Sequence, residues 1–239
     1  MSLVFSDVTN NLGIVQQVRS LMRVDANQWP TYKIVNSVNN YLDTVTGYAL
    51  GADRRFQWDD TNHSKLPEGT AELTINVSDY SFLTDEQANP IVTLLGISIL
   101  QNGKYTPLTL IDRNDPNYDP ENFGVETGIP TSYDKIADNI IRLDRKPTAT
   151  VASGLKFYFQ RTPSYFTASD TTKTPGVSPL LHRGFVIAAA YDGALTLGLK
   201  NLQPLLVEKQ MEEEKMVRYF SNRNRDQRPR IAINYQSNK

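Results

Sequence analysis

The sequence predicts an α+β chain: a helical bundle formed from both chain ends, an inserted antiparallel β-sandwich-like domain, and an extended C-terminal arm. Three observations carry this expectation. Apolar residues recur at helical spacing in residues 6–52 and again from Pro179 to Phe220. Between them the period falls to two, in short runs separated by polar turns. Residues 222–239 then gather arginines with few apolar anchors. The boundaries that follow are 1–53 and 178–221 for the bundle, 54–177 for the insertion and 222–239 for the arm.

At the N-terminus, Ser6 and Asp7 are good N-cap residues ahead of Val8, Leu12, Val15, Val18 and Met22, which paint one helical face. Asn27-Gln28-Trp29-Pro30 stops that pattern. A second helix is expected from Thr31, with Ile34, Val35, Val38, Tyr41, Leu42 and Val45 on one side and Gly47 and Gly51 weakening its end. The two should form an antiparallel pair.

In the middle, Arg54, Phe56 and Trp58 alternate with Arg55 and Gln57, and a turn of Asp59, Asp60, Asn62 and Pro67 follows. Over residues 70–82, Leu73, Ile75 and Val77 point one way, Glu72, Thr74 and Asn76 the other. Residues 91–101 and 104–112 read as a hairpin around Asn102-Gly103. Asn139 to Asp144 and Leu155 to Gln160 supply two more strands, for five or six in all. The stretch Gly154 to Val177 marks the passage from strand through polar loop back to helix.

From Pro179, a residue tolerated in a first turn, Leu181, Phe185, Ala188, Ala189, Leu195 and Leu199 form a stripe. Gln203-Pro204 is expected to break the chain. The last helix, Leu205 to Phe220, would bury Leu206, Met211, Val217 and Phe220. Its Lys209–Glu213 and Glu214–Arg218 spacings suit i,i+4 pairing.

Composition bounds the function. The 239 residues have a net charge of −1, 21% charged and 39% apolar residues, which fits neither a disordered acidic chain nor a membrane protein. There is no cysteine, so disulfides, thiolate metal sites and cysteine nucleophiles are excluded. The N-terminus lacks a signal-peptide layout, and the apolar run Ile91 to Leu100 is about half a membrane span. A soluble chain without membrane partners is expected.

Candidate chemistry is sparse. Asp115, Asn117, Asp119, Glu121 and Glu126 fall at positions 1, 3, 5, 7 and 12 of a calcium loop, but Pro120 occupies the position that needs glycine. The loop reads as a solvated turn, and no metal or cofactor is assigned. The two histidines, His63 and His182, have no ligand partner in sequence and are expected at the surface or an interface. Asp59 and Asp60 follow Phe56 and Trp58 but read as solvated. No nucleophile elbow or phosphate-cradling glycine loop is present. A non-enzymatic chain is expected.

In the arm, Arg223, Arg225, Arg228 and Arg230 face one acid, Asp226, and Ile231, Ile233 and Tyr235 alternate. The arginines could neutralise phosphates, with Tyr235 stacking on a base. The alternation instead favours an arm that docks on a protein, as an added strand or in a groove.

Two stretches resemble the head-to-tail adaptor proteins of tailed bacteriophages, also called connector or head-completion proteins. One is RRFQWDDTNHSKLPEGTAELTINVSDYSF, residues 54–82. The other is GLKFYFQRTPSYFTASDTTKTPGV with the LLHRGFVIAAAYDGALTLGL that follows. The helices Asp7 to Ser20 and Trp29 to Tyr41 fit as well. The resemblance implies a structural protein of the virion neck, assembled in the host cytoplasm, in a homo-oligomeric ring of about twelve copies. It implies docking on the portal protein through the C-terminal segment and on a downstream tail or nozzle protein. Double-stranded DNA would pass the lumen without specific contact during genome ejection. Arg223 to Tyr235 match such an arm in position and character. The alternatives are another tail or neck component, or a β-sandwich binding module with Trp58, Tyr80, Tyr105 and Tyr118 as a stacking platform for carbohydrate.

Overall fold

The computed structural model describes residues 2–52, 68–85, 88, 90–113, 119 and 121–222. Over these the chain is α+β, with N- and C-terminal helices flanking two small β-sheets. Helices α1 (Ile14–Met22), α2 (Thr31–Ala52), α3 (His182–Leu197) and α4 (Leu202–Asn222) share one core running from Phe5 to Phe220.

Helix α3 organises that core. It is apolar on every side, the pattern of a helix surrounded by others, and α1, α2 and α4 all pack on it. Small residues make the approach close. A Cβ at Gly193 would lie 2.4 Å from Met22 Cε and 3.0 Å from the Trp29 ring; one at Gly184 would lie 2.4 Å from Met216 Cε. α1 therefore packs chiefly on α3 and meets α2 only briefly, so the expected α1–α2 pair is a minor contact.

Several expected boundaries shift. Ser6 and Asp7 do not cap α1. Asp7 accepts the backbone N–H groups of Thr9 and Asn10 in a separate turn, Val8 and Leu12 are exposed, and the helix starts after Gly13. α2 begins at Thr31 and buries the six expected residues, but runs through Gly47 and Gly51. Pro204 does not break the chain, because it sits in the first turn of α4, where no intrahelical N–H partner is needed. The break comes earlier, at Gly198 in the left-handed region.

The buried face of α4 also differs. Leu205, Met216 and Phe220 are buried, whereas Met211 and Val217 are exposed. Between the buried residues the same face carries Lys209, Glu212 and Glu213, whose charges break up the apolar pattern. Leu195 of α3 is exposed too, although the core includes its neighbour Ala194 and packs against Leu199 beyond it.

One sheet has the order β1-β8-β3-β4, from β1 (Glu68–Leu73), β8 (Val151–Arg161), β3 (Ile91–Gln101) and β4 (Lys104–Pro107). The other is β2-β7-β6-β5, from β2 (Asp79–Ser81), β7 (Ile140–Leu143), β6 (Ser132–Ala137) and β5 (Thr109–Leu110). All pairings are antiparallel except β5 with β6. Among the described residues there are eight strands, against the five or six expected.

The expected 70–82 strand is two strands in different sheets. After Leu73 the chain turns through Asn76 at φ 60°, leaving Ile75 exposed. The Asn102-Gly103 hairpin forms as expected, both residues at positive φ. Its second arm ends at Pro107, and Leu108 carries the chain into the other sheet. One apolar cluster takes Leu73, Ile97, Leu155, Phe157 and Phe159 from the first sheet and Tyr133, Ile141 and Leu143 from the second. Phe82, just after β2, stacks at 4.3 Å on Phe157.

The return from β8 to α3 is pinned to the helices. Asn39 exchanges two hydrogen bonds with the Phe166 backbone, at 3.0 and 2.9 Å, and Phe166 stacks on Phe5. At the start of this return, Arg161 meets Asp85 at 3.2 Å, both side chains under a tenth exposed.

Candidate functional site

The seven arm residues singled out from the sequence, Arg223, Arg225, Arg228, Arg230, Ile231, Ile233 and Tyr235, lie outside the described residues. So do His63, Trp58, Phe56, Asp59, Asp60, Asp115, Asn117, Tyr118 and Pro120.

What is described of the remaining candidates disperses them. Asp119 accepts the Glu121 N–H at 3.0 Å and the Asn122 side chain at 2.6 Å, and these bonds hold its carboxyl below the ordinary range. It is a turn-making carboxylate. Glu126 instead pairs its backbone with Lys146. No group of three His, Cys, Asp or Glu among the described residues is placed to hold a metal ion. Tyr80 turns its hydroxyl into the Thr74–Val77 turn, while Tyr105, in the other sheet, donates to the Ser153 carbonyl at 2.7 Å. They share no platform.

His182 is buried, against expectation. Its Nδ1 accepts the Leu3 N–H at 2.9 Å and Nε2 lies 3.0 Å from the Val177 carbonyl. The accepting Nδ1 puts the hydrogen on Nε2, so a neutral ring clips the N-terminal segment and the return loop to the start of α3.

The surface with the most chemistry lies where α2 and α4 flank α3. A groove between α2 and α4 is lined by Tyr48, Gln210, Glu213, Glu214, Val217 and Arg218. Glu213 stands 3.9 Å from Lys209, whose ammonium lies 4.9 Å over the Tyr191 ring. Glu214 pairs with Arg218 at 3.0 Å and Glu212 with Lys215 at 3.3 Å. The two i,i+4 pairs expected on this helix are present.

Lys209 also attracts Asp192, the one carboxylate of α3. Burial pushes its pKa up, against the opposing pull of Lys209 and a hydrogen bond from Ser37. Burial, with Glu213 adding, also raises the Tyr48 phenol, and Tyr41 is raised by burial followed by Glu213, Tyr48 and Glu212. The groove thus sets the Tyr48 ring beside two glutamates that already pair with Lys209 and Arg218. The clue in the sequence was a lone aspartate within the apolar run Phe185 to Leu197, which the helical stripe passes over.

A second concavity, about 200 Å³, opens at one end of the sheets between Leu73, Ile99, Ile129, Pro130, Pro147 and Val151. Gln101, Asn102 and Thr148 line it as well, so its surface mixes polar with apolar groups and carries no charged side chain. No described helix is long and apolar enough to cross a membrane. Neither the protein-family models nor the curated proteins compared with the chain give a match.

Proposed function

We propose that the chain is a structural virion protein, a head-to-tail adaptor of a tailed bacteriophage that joins the portal to the tail as a homo-oligomeric ring. The observation that carries the reading is the single core closed by the two chain ends, from Phe5 to Phe220, with the strands inserted between α2 and α3. That layout is the one the sequence resemblance implies. The helices build the ring, and the insertion, read as a closed sandwich because Phe82 and Phe157 meet across it, faces outward or toward the next tail component. The arm, residues 222–239, begins at the last residue of α4 and hooks the portal.

Mass photometry of the chain with the portal protein of the same genome tests this. Addition of about twelve chains per portal ring is expected. A portal mass that does not change overturns the adaptor reading. Deletion of 222–239 should leave the fold intact and abolish attachment; unchanged attachment removes the arm's role.

A further inference from the structure

We infer that His182 is a proton-gated latch: uptake of a proton breaks its bond to Leu3 and releases residues 3–7 from the helical core, uncapping α1. The seated segment admits one state of the ring. The Leu3 backbone N–H, at 2.9 Å, can only donate, so Nδ1 must present a lone pair. The Val177 carbonyl, at 3.0 Å, can only accept, so Nε2 must carry the hydrogen. A second proton has one place to go, Nδ1, where it would meet the Leu3 N–H donor to donor. The residue is 2% exposed, so water cannot replace the lost partner while the segment stays in place.

What the latch holds matters to the fold. Phe5 and Ser6 donate their backbone N–H groups to the carbonyls of Lys173 and Thr171, at 2.7 and 3.2 Å, which lays the segment along the return loop. The Val4 and Phe5 carbonyls accept the N–H groups of Ile14 and Val15, each at 3.0 Å. These are first-turn donors of α1, which no side chain caps. The Phe5 ring is fully buried and stacks on Phe166 at 4.9 Å. Lifting the segment exposes that apolar contact and strips α1 of its cap, so a proton at the start of α3 is felt at α1.

The titratable groups on the surrounding elements behave differently. On the return loop Lys173 lies 3.9 Å from Asp170. Arg183 pairs with Glu208 of α4, and Glu212, whose Cβ approaches Gly184, holds Lys215 at 3.3 Å. Tyr41 of α2 reaches the same glycine, and burial raises its phenol, with Glu213, Tyr48 and Glu212 adding. Asp7, at the end of the segment, is held below the ordinary value, chiefly by the Asn10 N–H, and stays ionised at mildly acid pH. Asp192 is raised, but it lies ten residues further along α3, about 15 Å away. Once the segment lifts, the His182 ring is an ordinary imidazole, which takes up a proton below about pH 6.5. Only the neutral ring fits the closed segment, so the latch holds above that pH and weakens as pH falls through it.

Amide hydrogen exchange of the full chain, read residue by residue and corrected for its intrinsic pH dependence, tests the latch. Protection at Leu3, Phe5, Ser6, Ile14 and Val15 should fall about tenfold between pH 7.5 and 5.5, while Val38 and Leu42 of α2 hold. In His182→Asn an amide oxygen replaces Nδ1 as the acceptor and does not titrate, so protection should be equal at the two pH values. His63→Gln removes the other histidine and should leave the fall intact. Protection that ignores pH, a fall shared by α2, a fall that persists in His182→Asn, or one that His63→Gln abolishes each overturns the inference. The ring gives a second measurement that needs no variant. Its nitrogen chemical shifts should pass from the Nε2–H tautomer to the imidazolium over the same pH range in which protection is lost. A ring that stays neutral while the segment opens, or charges while the segment stays seated, overturns it as well. No portal protein is present, so the outcome is independent of the adaptor reading.

Discussion

Tyr165 donates its phenolic hydrogen to the Asp43 carboxylate across 2.5 Å, tying the segment that returns from the sheets to the middle of α2. Burial first, then this hydrogen bond and the Asp43 charge, pushes the phenol up to about 12. A pKa raised in the folded state means that the neutral phenol is favoured there. The contribution is therefore fully present below pH ~10, the unfolded value, and lost as pH climbs toward about 12. Tyr165→Phe should lower stability by about 0.5 kcal/mol near pH 8, a small figure because the site is partly exposed. The gap should close at the alkaline end. Thermal unfolding of both proteins across the pH range checks this, and a constant gap would contradict it.

Two glycines in neighbouring helices should respond oppositely to the same kind of change. A Cβ at Gly193 has no room between Met22 and Trp29. Gly193→Val should cost about 1–3 kcal/mol, because α1 must move off α3 to admit it. Gly47, on the exposed face of α2, has nothing within 4 Å of the position a methyl group would take. Gly47→Ala should stabilise by roughly 0.5–1 kcal/mol. Denaturant unfolding measures both; a stabilising Gly193→Val would show that the α1–α3 contact is looser than its geometry.

The buried pair Arg161–Asp85 fastens the loop before β3 to the end of β8. Removing either partner leaves the other's buried charge without its ion-pair counterpart, so Arg161→Ala or Asp85→Ala should each cost about 3 kcal/mol. The double variant should cost at least about 1 kcal/mol less than the sum of the two. Additive losses in a double-mutant cycle would mean that the two side chains act through separate partners.

These contacts show what the sequence does and does not disclose. The Asn102-Gly103 turn was legible because its backbone demand is local. The α2 face was legible because nothing charged interrupts Ile34 to Val45. On α4, Lys209, Glu212 and Glu213 interrupt the face that packs; Lys209 pairs with Glu213 and attracts Asp192 across helices, and Glu212 pairs with Lys215. That is a tertiary fact, as is His182, which serves two backbone groups far apart in sequence and gives no local signal. β6 escapes the pattern because Ser132 to Ala137 mixes Asp134 and Lys135 into the strand, and the buried Asp134 accepts two hydrogen bonds from Arg113 of a distant segment. The groove follows the same logic: its floor comes from α2 and its walls from α4, and only packing brings them together.

Asp192 lies within the apolar run of α3, bonded to Ser37 of α2 and attracted by Lys209 of α4. Its raised pKa has burial as the leading cause, so the folded state disfavours the charged carboxylate despite Lys209 and Ser37. The sign is the reverse of an ordinary paired aspartate. The folded protein gains stability as pH falls and Asp192 takes up a proton, and at neutral pH the ionised group is a cost. Asp192→Asn keeps the shape and a hydrogen-bonding side chain toward Ser37 while removing the charge. It should raise the melting temperature at pH 7, and that advantage should vanish near pH ~3.5, below the ordinary aspartate value of 3.8. A less stable Asp192→Asn at pH 7 would mean that Lys209 outweighs burial. The carboxylate would then be a structural ion-pair partner of Lys209.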